Sequence, residues 1–237
     1  MNILLNDIYH SDLCFLPLRS AQRKLIGLEI IANFVSADGT VRIPTELVLP
    51  RLSPAEQYQL FEEKLAQLEK CQHFFIQHKL IAWIYLSPQV AQILINDAAS
   101  VCRIRRFPFL ELLINEDYPD LNKGKEEPAL ALLAAQFPLI LANFGAGDSS
   151  TKAIFDGLFK RVVLDKNFVQ RRAASPSFEP FMRAILTQVS PCCESVMIAG
   201  IDSEAMLARV SGCGFAAMQG CLWPPVPPGQ VTALVQE

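Results

Sequence analysis

Apolar residues in this chain follow two rhythms. Short runs dense in apolar residues occur at 80–86, 109–115, 138–143, 161–165, 194–200 and 215–219, the pattern of strands buried on both faces. Between them, 88–99, 127–136, 150–159, 178–189, 203–210 and 227–235 read as helices. Such alternation with short links predicts parallel strands with helices packed outside. Ahead of it, apolar segments at 13–18 and 24–34 flank the polar stretch Arg19 to Arg23, which predicts an antiparallel hairpin. Ala37-Asp38-Gly39-Thr40 is a turn. Ser53-Pro54-Ala55-Glu56 is a helix start, with Ser at the N-cap, Pro at the first helical position and Glu three residues on as a capping box. Tyr58, Phe61, Leu65 and Leu68 then follow at helical spacing. Counting the early strands, the expected fold is a TIM-like (β/α) barrel with an antiparallel first strand, an open sheet being the alternative. No repeat or interdomain linker interrupts residues 1–237, so a single domain is expected.

The run Leu139 to Ala142 leads into Asn143-Phe144-Gly145-Ala146-Gly147, and Ser149 or Ser150 is placed to cap a helix beginning near Thr151. A loop at the C-terminal end of a parallel strand is where α/β folds bind ligands. Ala142 and Asn143, however, put no carboxylate at this strand tip.

Composition narrows the class. Hydrophobic residues make up 51% of the 237 and mean hydropathy is +0.25, as suits strands covered on both faces. The most apolar stretch, 129–144, is broken by Gln136 and Pro138, so no membrane span is expected. No basic residue precedes the first apolar ones, and no signal peptide is expected. Seven cysteines at irregular spacing point to free thiols in a reducing cytoplasm. A net charge of −3 gives no general attraction to nucleic acid.

Four segments in order carry a resemblance. They are Gly27-Leu28-Glu29-Ile30-Ile31-Ala32-Asn33-Phe34, the loop Phe144-Gly145-Ala146-Gly147 with Ser149-Ser150, Val163-Leu164-Asp165, and Gln219-Gly220-Cys221-Leu222. The chain resembles the EAL domain, whose active members hydrolyse cyclic di-GMP with two divalent metals. The corresponding family patterns are G-x-E-A-L-x-R-W, D-D-F-G-x-G-x-S-S, K-I-D and Q-G-Y-L. The resemblance implies an EAL-type barrel in which Glu29, Glu116, Asp165 and Gln219 are vestigial site positions, with Asp202 near a further acid of the family pattern. Tyr85, Leu113, Ala142, Asn143, Val163 and Ala199 stand where the family keeps functional residues. A two-metal hydrolase needs several carboxylates converging on one point, and a set this depleted should not hold Mg²⁺. No catalytic residue, metal or cofactor is therefore expected.

Segments such as Cys71 to Leu80, Phe155-Asp156-Gly157-Leu158-Phe159 and Ser177-Phe178-Glu179-Pro180-Phe181 look typical of a degenerate branch of the family. That likeness implies a protein partner, FlhD of the flagellar master activator, with the activator kept off DNA and directed to proteolysis. It implies no direct nucleic acid, membrane or small-molecule partner. The alternative is a residual cyclic di-GMP phosphodiesterase or sensor. The partner surface is expected on outer helices or an edge, with Phe61, Phe74, Phe159 and Phe181 as candidates that serve equally well as core.

Other signals have plainer readings. Cys71, His73 and His78 are metal-ligand types but lack a paired motif, so ordinary helix residues are expected. Cys192-Cys193 are expected as free thiols. Arg103, Arg105 and Arg106 suggest a solvated loop before residue 109, or a patch for an acidic partner. The glycine loop lacks the lysine of a P-loop and reads as a turn. Trp223-Pro224-Pro225 with Pro227-Pro228 reads as a chain-closing loop. Glu29 and Asp165 are expected to be kept through hydrogen bonds to loop backbone.

Overall fold

The computed structural model describes residues 1–4, 7–147 and 151–235. One nine-stranded sheet organises them. Its strands are β1 (Asn2–Leu4), β2 (Ile8–Arg19), β3 (Leu25–Ser36), β4 (Arg42–Pro44), β5 (Ile81–Tyr85), β6 (Leu110–Asn115), β7 (Leu139–Phe144), β8 (Arg161–Leu164) and β9 (Ser195–Ile198). The order is β1-β2-β3-β5-β6-β7-β8-β9, with β4 attached to β3. The pairs among β1 to β4 are antiparallel, and the β2–β3 pair is the hairpin the sequence predicted. Along β3-β5-β6-β7-β8-β9 every ladder is parallel.

The expected closing strand at 215–219 is a correction: it forms isolated bridges instead of a ladder. The Arg19 and Met218 backbones exchange hydrogen bonds (3.0 and 2.8 Å), and Gln219 N–H donates to the Ile198 carbonyl at 3.0 Å. The segment thus bonds to β2 on one side and β9 on the other. Its glycine is obligatory, because a Cβ at Gly220 would stand 2.1 Å from the Ile201 carbonyl oxygen.

The helices are α1 (Thr45–Val48), α2 (Pro54–His78), α3 (Pro88–Asn96), α4 (Ala98–Ile104), α5 (Pro128–Gln136), α6 (Lys152–Phe155), α7 (Lys166–Arg172), α8 (Phe178–Val189) and α9 (Glu204–Ser211). The capping box forms as predicted: Ser53 accepts from the Glu56 N–H, and Glu56 accepts from the Ser53 N–H. Several expected helices differ. The segment 88–99 breaks at Asp97, whose carboxylate caps α4. The helix expected at 150–159 is the single turn α6, followed by Gly157 at φ 69°. Ser149 and Ser150, its expected caps, lie outside the described residues. Residues 228–235 form 3₁₀ turns where Pro227, Pro228 and Gly229 disfavour an α-helix.

Strand side chains alternate between two apolar layers. Leu110, Leu112, Ile114, Leu139, Leu141, Val162, Leu164, Val196 and Ile198 join the large core with helix residues such as Leu65, Leu94, Leu133 and Met182. The opposite face forms a separate cluster of Leu18, Trp83, Leu113, Ile140, Ala142, Val163, Met197 and Ala217. No described helix is long and apolar enough to cross a membrane.

Candidate functional site

The middle of β3 and the C-terminal ends of β5–β9 gather the positions singled out above, but on two different terms. Leu113, Ala142 and Val163 are buried in the apolar cluster on the sheet's inner face, and Tyr85 and Ala199 pack against it half-buried. Five of the six altered positions therefore form one hydrocarbon surface. The loss of water and the nearby Asp117 carboxylate push the Tyr85 phenol up to about 12. Asn143, the sixth, is exposed at the tip of β7 in the left-handed region, with φ 57°. Asparagine tolerates that conformation. Its amide Nδ2 donates to Asn115 Oδ1 at 3.1 Å.

The retained polar residues are occupied in holding the protein together. Glu116 accepts from the Gly145 N–H at 3.0 Å and the Gly147 N–H at 2.8 Å. Gly145 has φ 97°, and a Cβ there would press into the Phe168 ring at 2.9 Å. Asp165 accepts from the Phe168 N–H at 2.7 Å and caps α7, a helix the sequence pattern did not reveal. Asp202 takes the Cys221 N–H at 2.7 Å and the Gln170 amide at 2.5 Å.

Glu29 departs from its expected loop-backbone contact: Gln219 Nε2 donates to its carboxylate at 3.1 Å. Glu29 keeps some accessible surface, yet it is set so deep in the middle of β3, between Leu16 and Trp83, that loss of solvent raises its pKa. Lys64, a residue the sequence reading passed over, lies buried on α2. Burial pushes its ammonium down, opposed by attraction to Glu29 and Glu46. Its spacing with Phe61, Leu65 and Leu68 on the apolar face of α2 was the available signal.

The structure thus brings Glu29 to Gln219 and Glu116 to the glycine loop, while Asp165 turns to α7. Among the described residues, no three His, Cys, Asp or Glu side chains come together as a metal-binding group.

The chain matches the EAL domain family over residues 6–225. It belongs to the EAL domain family. A curated relative from Salmonella typhimurium, the anti-FlhC(2)FlhD(4) factor YdiV, is 64% identical over 232 residues, covering 98% of both chains. The putative anti-FlhC(2)FlhD(4) factor YdiV of Escherichia coli strain K12 is 52% identical over 236 residues, covering 100% of both. A crystal structure of the EAL-like domain protein YdiV superposes with a TM-score of 0.89 at 52% identity, over 99% of this chain and 100% of that one. The fold is the TIM-like α/β arrangement of EAL structures, with the early strand β2 antiparallel to β3.

For an EAL domain, the donor set here does not fit a divalent metal pair. Hydrocarbon occupies the strand ends where oxygen ligands would have to converge. Three acids, Glu116, Asp165 and Asp202, already accept protein hydrogen bonds from loops or a helix end.

The remaining signals resolve into structural parts. Cys71 accepts from Gln67 at 3.2 Å and His78 packs on Phe74, both on α2. Cys192 and Cys193 are free thiols. Arg103 is not in a solvated loop: it lies in α4 and pairs with Glu62 and with Glu69, the latter at 2.8 Å. Arg105 and Arg106 are exposed just beyond that helix. Of the phenylalanines proposed as partner anchors, Phe61 and Phe159 are core, and Phe74 and Phe181 pack half-buried against it.

Proposed function

We propose that the chain, acting as one EAL-like unit, is a non-catalytic cytoplasmic regulator of the FlhC(2)FlhD(4) activator and represses flagellar gene expression. It binds the FlhD subunit, keeps the activator off DNA and promotes its proteolysis. The carrying observation is full-length similarity, at 64% identity, to a relative named an anti-FlhC(2)FlhD(4) factor. That relative is a regulatory factor by name, which supports a regulator over an enzyme.

The site chemistry supports the same reading. Leu113, Ala142, Val163 and Ala199 supply no metal ligand and no charge. Cyclic di-GMP hydrolysis through two metals has nothing to hold its ions there, and neither binding nor turnover of that nucleotide belongs to the proposed activity.

The test combines two measurements on the purified chain. Direct binding to the FlhC(2)FlhD(4) complex, and to FlhD alone, is the expected result. Incubation with cyclic di-GMP and Mg²⁺ or Mn²⁺ should give no linear product above a no-enzyme control. Product that disappears in Glu29→Ala would overturn the non-catalytic reading, and absence of binding would remove the regulatory one.

A further inference from the structure

A groove of about 270 Å³ opens between α3, α5 and the loop after β6. Pro88, Tyr118, Pro119 and Ala129 supply flat or small apolar walls, Gln89 and Gln92 supply amides, and Asp120 and Glu127 supply carboxylates. Tyr118 is only 7% exposed, with its ring packed into the large core. Burial and the neighbouring Glu127 charge raise its pKa, so the phenol stays protonated. Lys123 lies 3.0 Å from Asp120 and 3.8 Å from Glu127, giving one positive charge against two negative ones.

We propose that this groove seats an arginine side chain of the protein partner. This rests on the regulatory reading above and gives it a location. A guanidinium is a flat cation that stacks on aromatic surfaces and donates five hydrogen bonds in a fixed fork. The Pro88 and Pro119 faces form a flat wall for the cation, and the Tyr118 oxygen at the groove's base and the Gln amide oxygens are acceptors. The two carboxylates carry the opposite charge, with one negative charge left over after Lys123. A lysine ammonium would use the charge but not the flat walls, and an anionic group would meet two carboxylates. The groove lies beside helices, outside the apolar cluster that fills the strand ends, so the inference does not call on the vestigial site.

The experiment measures affinity for the purified FlhC(2)FlhD(4) complex. The variants are Glu127→Lys, the double change Asp120→Asn with Glu127→Gln, and Tyr118→Phe. Glu194→Gln, at the opposite end of the strands, is the control. Circular dichroism and melting checks confirm that each variant folds. The charge variants should lose on the order of tenfold or more, Tyr118→Phe a few-fold, and the control nothing. Excess N-acetyl-arginine amide should compete better than N-acetyl-lysine amide. Wild-type affinity in folded Glu127→Lys would overturn the groove while leaving the regulatory reading intact. Equal competition by the two amides would overturn arginine as the occupant. If the wild type itself fails to bind the complex, the regulatory reading falls and this inference with it.

Discussion

Glu116 and Gly147 are 31 residues apart in the chain and joined by a 2.8 Å hydrogen bond from the glycine N–H to the carboxylate. A second bond from Gly145 fixes the other oxygen at 3.0 Å. The Glu116 carboxylate is thus committed to holding the glycine loop. Glu116→Ala should destabilise the protein by roughly 1–3 kcal/mol, because two charge-assisted bonds are lost and the loop can recover some of them with water. Glu116→Gln keeps one acceptor and should cost less. Urea unfolding of the two variants checks the order. Equal stability of Glu116→Ala and wild type would show that the loop does not depend on this carboxylate.

That contact also marks where reading the sequence stops. Ser53 and Glu56 were legible as a cap because their partners lie three residues apart. The strands β5 to β9 were legible because burial on both faces leaves nearly continuous apolar runs. Three-residue β1 and β4 are too short to carry a period. Helix α7, Lys-Asn-Phe-Val-Gln-Arg-Arg, has too few apolar positions to announce itself, and its cap, Asp165, was read as a site residue. The fate of Glu116, Gln219 and Lys64 depends on contacts across tens of residues, which no local pattern encodes. The loss of oxygen ligands at 113, 142, 163 and 199 was visible residue by residue. That these positions form a single apolar cluster required the register of the strands.

Asp165 offers a simple check on the capping role. Its carboxylate is the only side-chain cap of α7, and its loss leaves the Phe168 N–H without that partner. Asp165→Ala should lower stability by about 1 kcal/mol, and Asp165→Ser or Asp165→Asn should restore much of it. Chemical denaturation distinguishes them. A stability loss unrelieved by either capping residue would point to a role other than capping.

Stability should depend on pH through Glu29 and Lys64 in opposite directions. Burial raises the folded-state pKa of Glu29 above its ordinary value of 4.5. Between the two values the folded state holds more protons than the unfolded one, so stability falls as pH rises through that window. Lys64 is lowered from 10.5, so the unfolded state holds more protons between its folded value and 10.5, and stability rises with pH there. Glu29→Gln should remove the first slope and Lys64→Met the second. Urea titrations from acid to alkaline pH read both. A Glu29→Gln profile parallel to wild type above pH 4.5 would contradict the burial argument.

Restoring one acid should not restore chemistry. Ala142→Asp places a carboxylate beside Leu113, Ile140 and Val163, inside an apolar cluster with no basic partner at position 163. A charge forced into such surroundings costs several kcal/mol or takes up a proton. The expected result is a destabilised protein with no turnover of cyclic di-GMP, because catalytic groups that act as a unit do not recover singly. Measured linear product from Ala142→Asp in Mg²⁺ or Mn²⁺ would show a site far more intact than its packing indicates.

Partner binding should survive changes at the vestigial positions. A protein partner covers on the order of 800 Å² per side and draws on a few anchors in that patch. The strand ends are filled by hydrocarbon, and Glu29, Asp165 and Gln219 are committed to internal contacts. Removing them should therefore leave the outer helices presented as before, at a modest cost in stability. Glu29→Ala, Asp165→Ala and Gln219→Ala are each expected to capture FlhD as well as wild type does when compared at equal folded concentration. The comparison needs melting curves alongside the pull-down, since a partly unfolded variant loses binding wherever the interface lies. If all three variants are folded and all three fail to bind, the interface is at the C-terminal ends of the strands, and the outer-surface placement is wrong. If only one fails, its own neighbourhood becomes the place to look: the middle of β3 for Glu29, α7 for Asp165, or the bridged segment between β9 and β2 for Gln219.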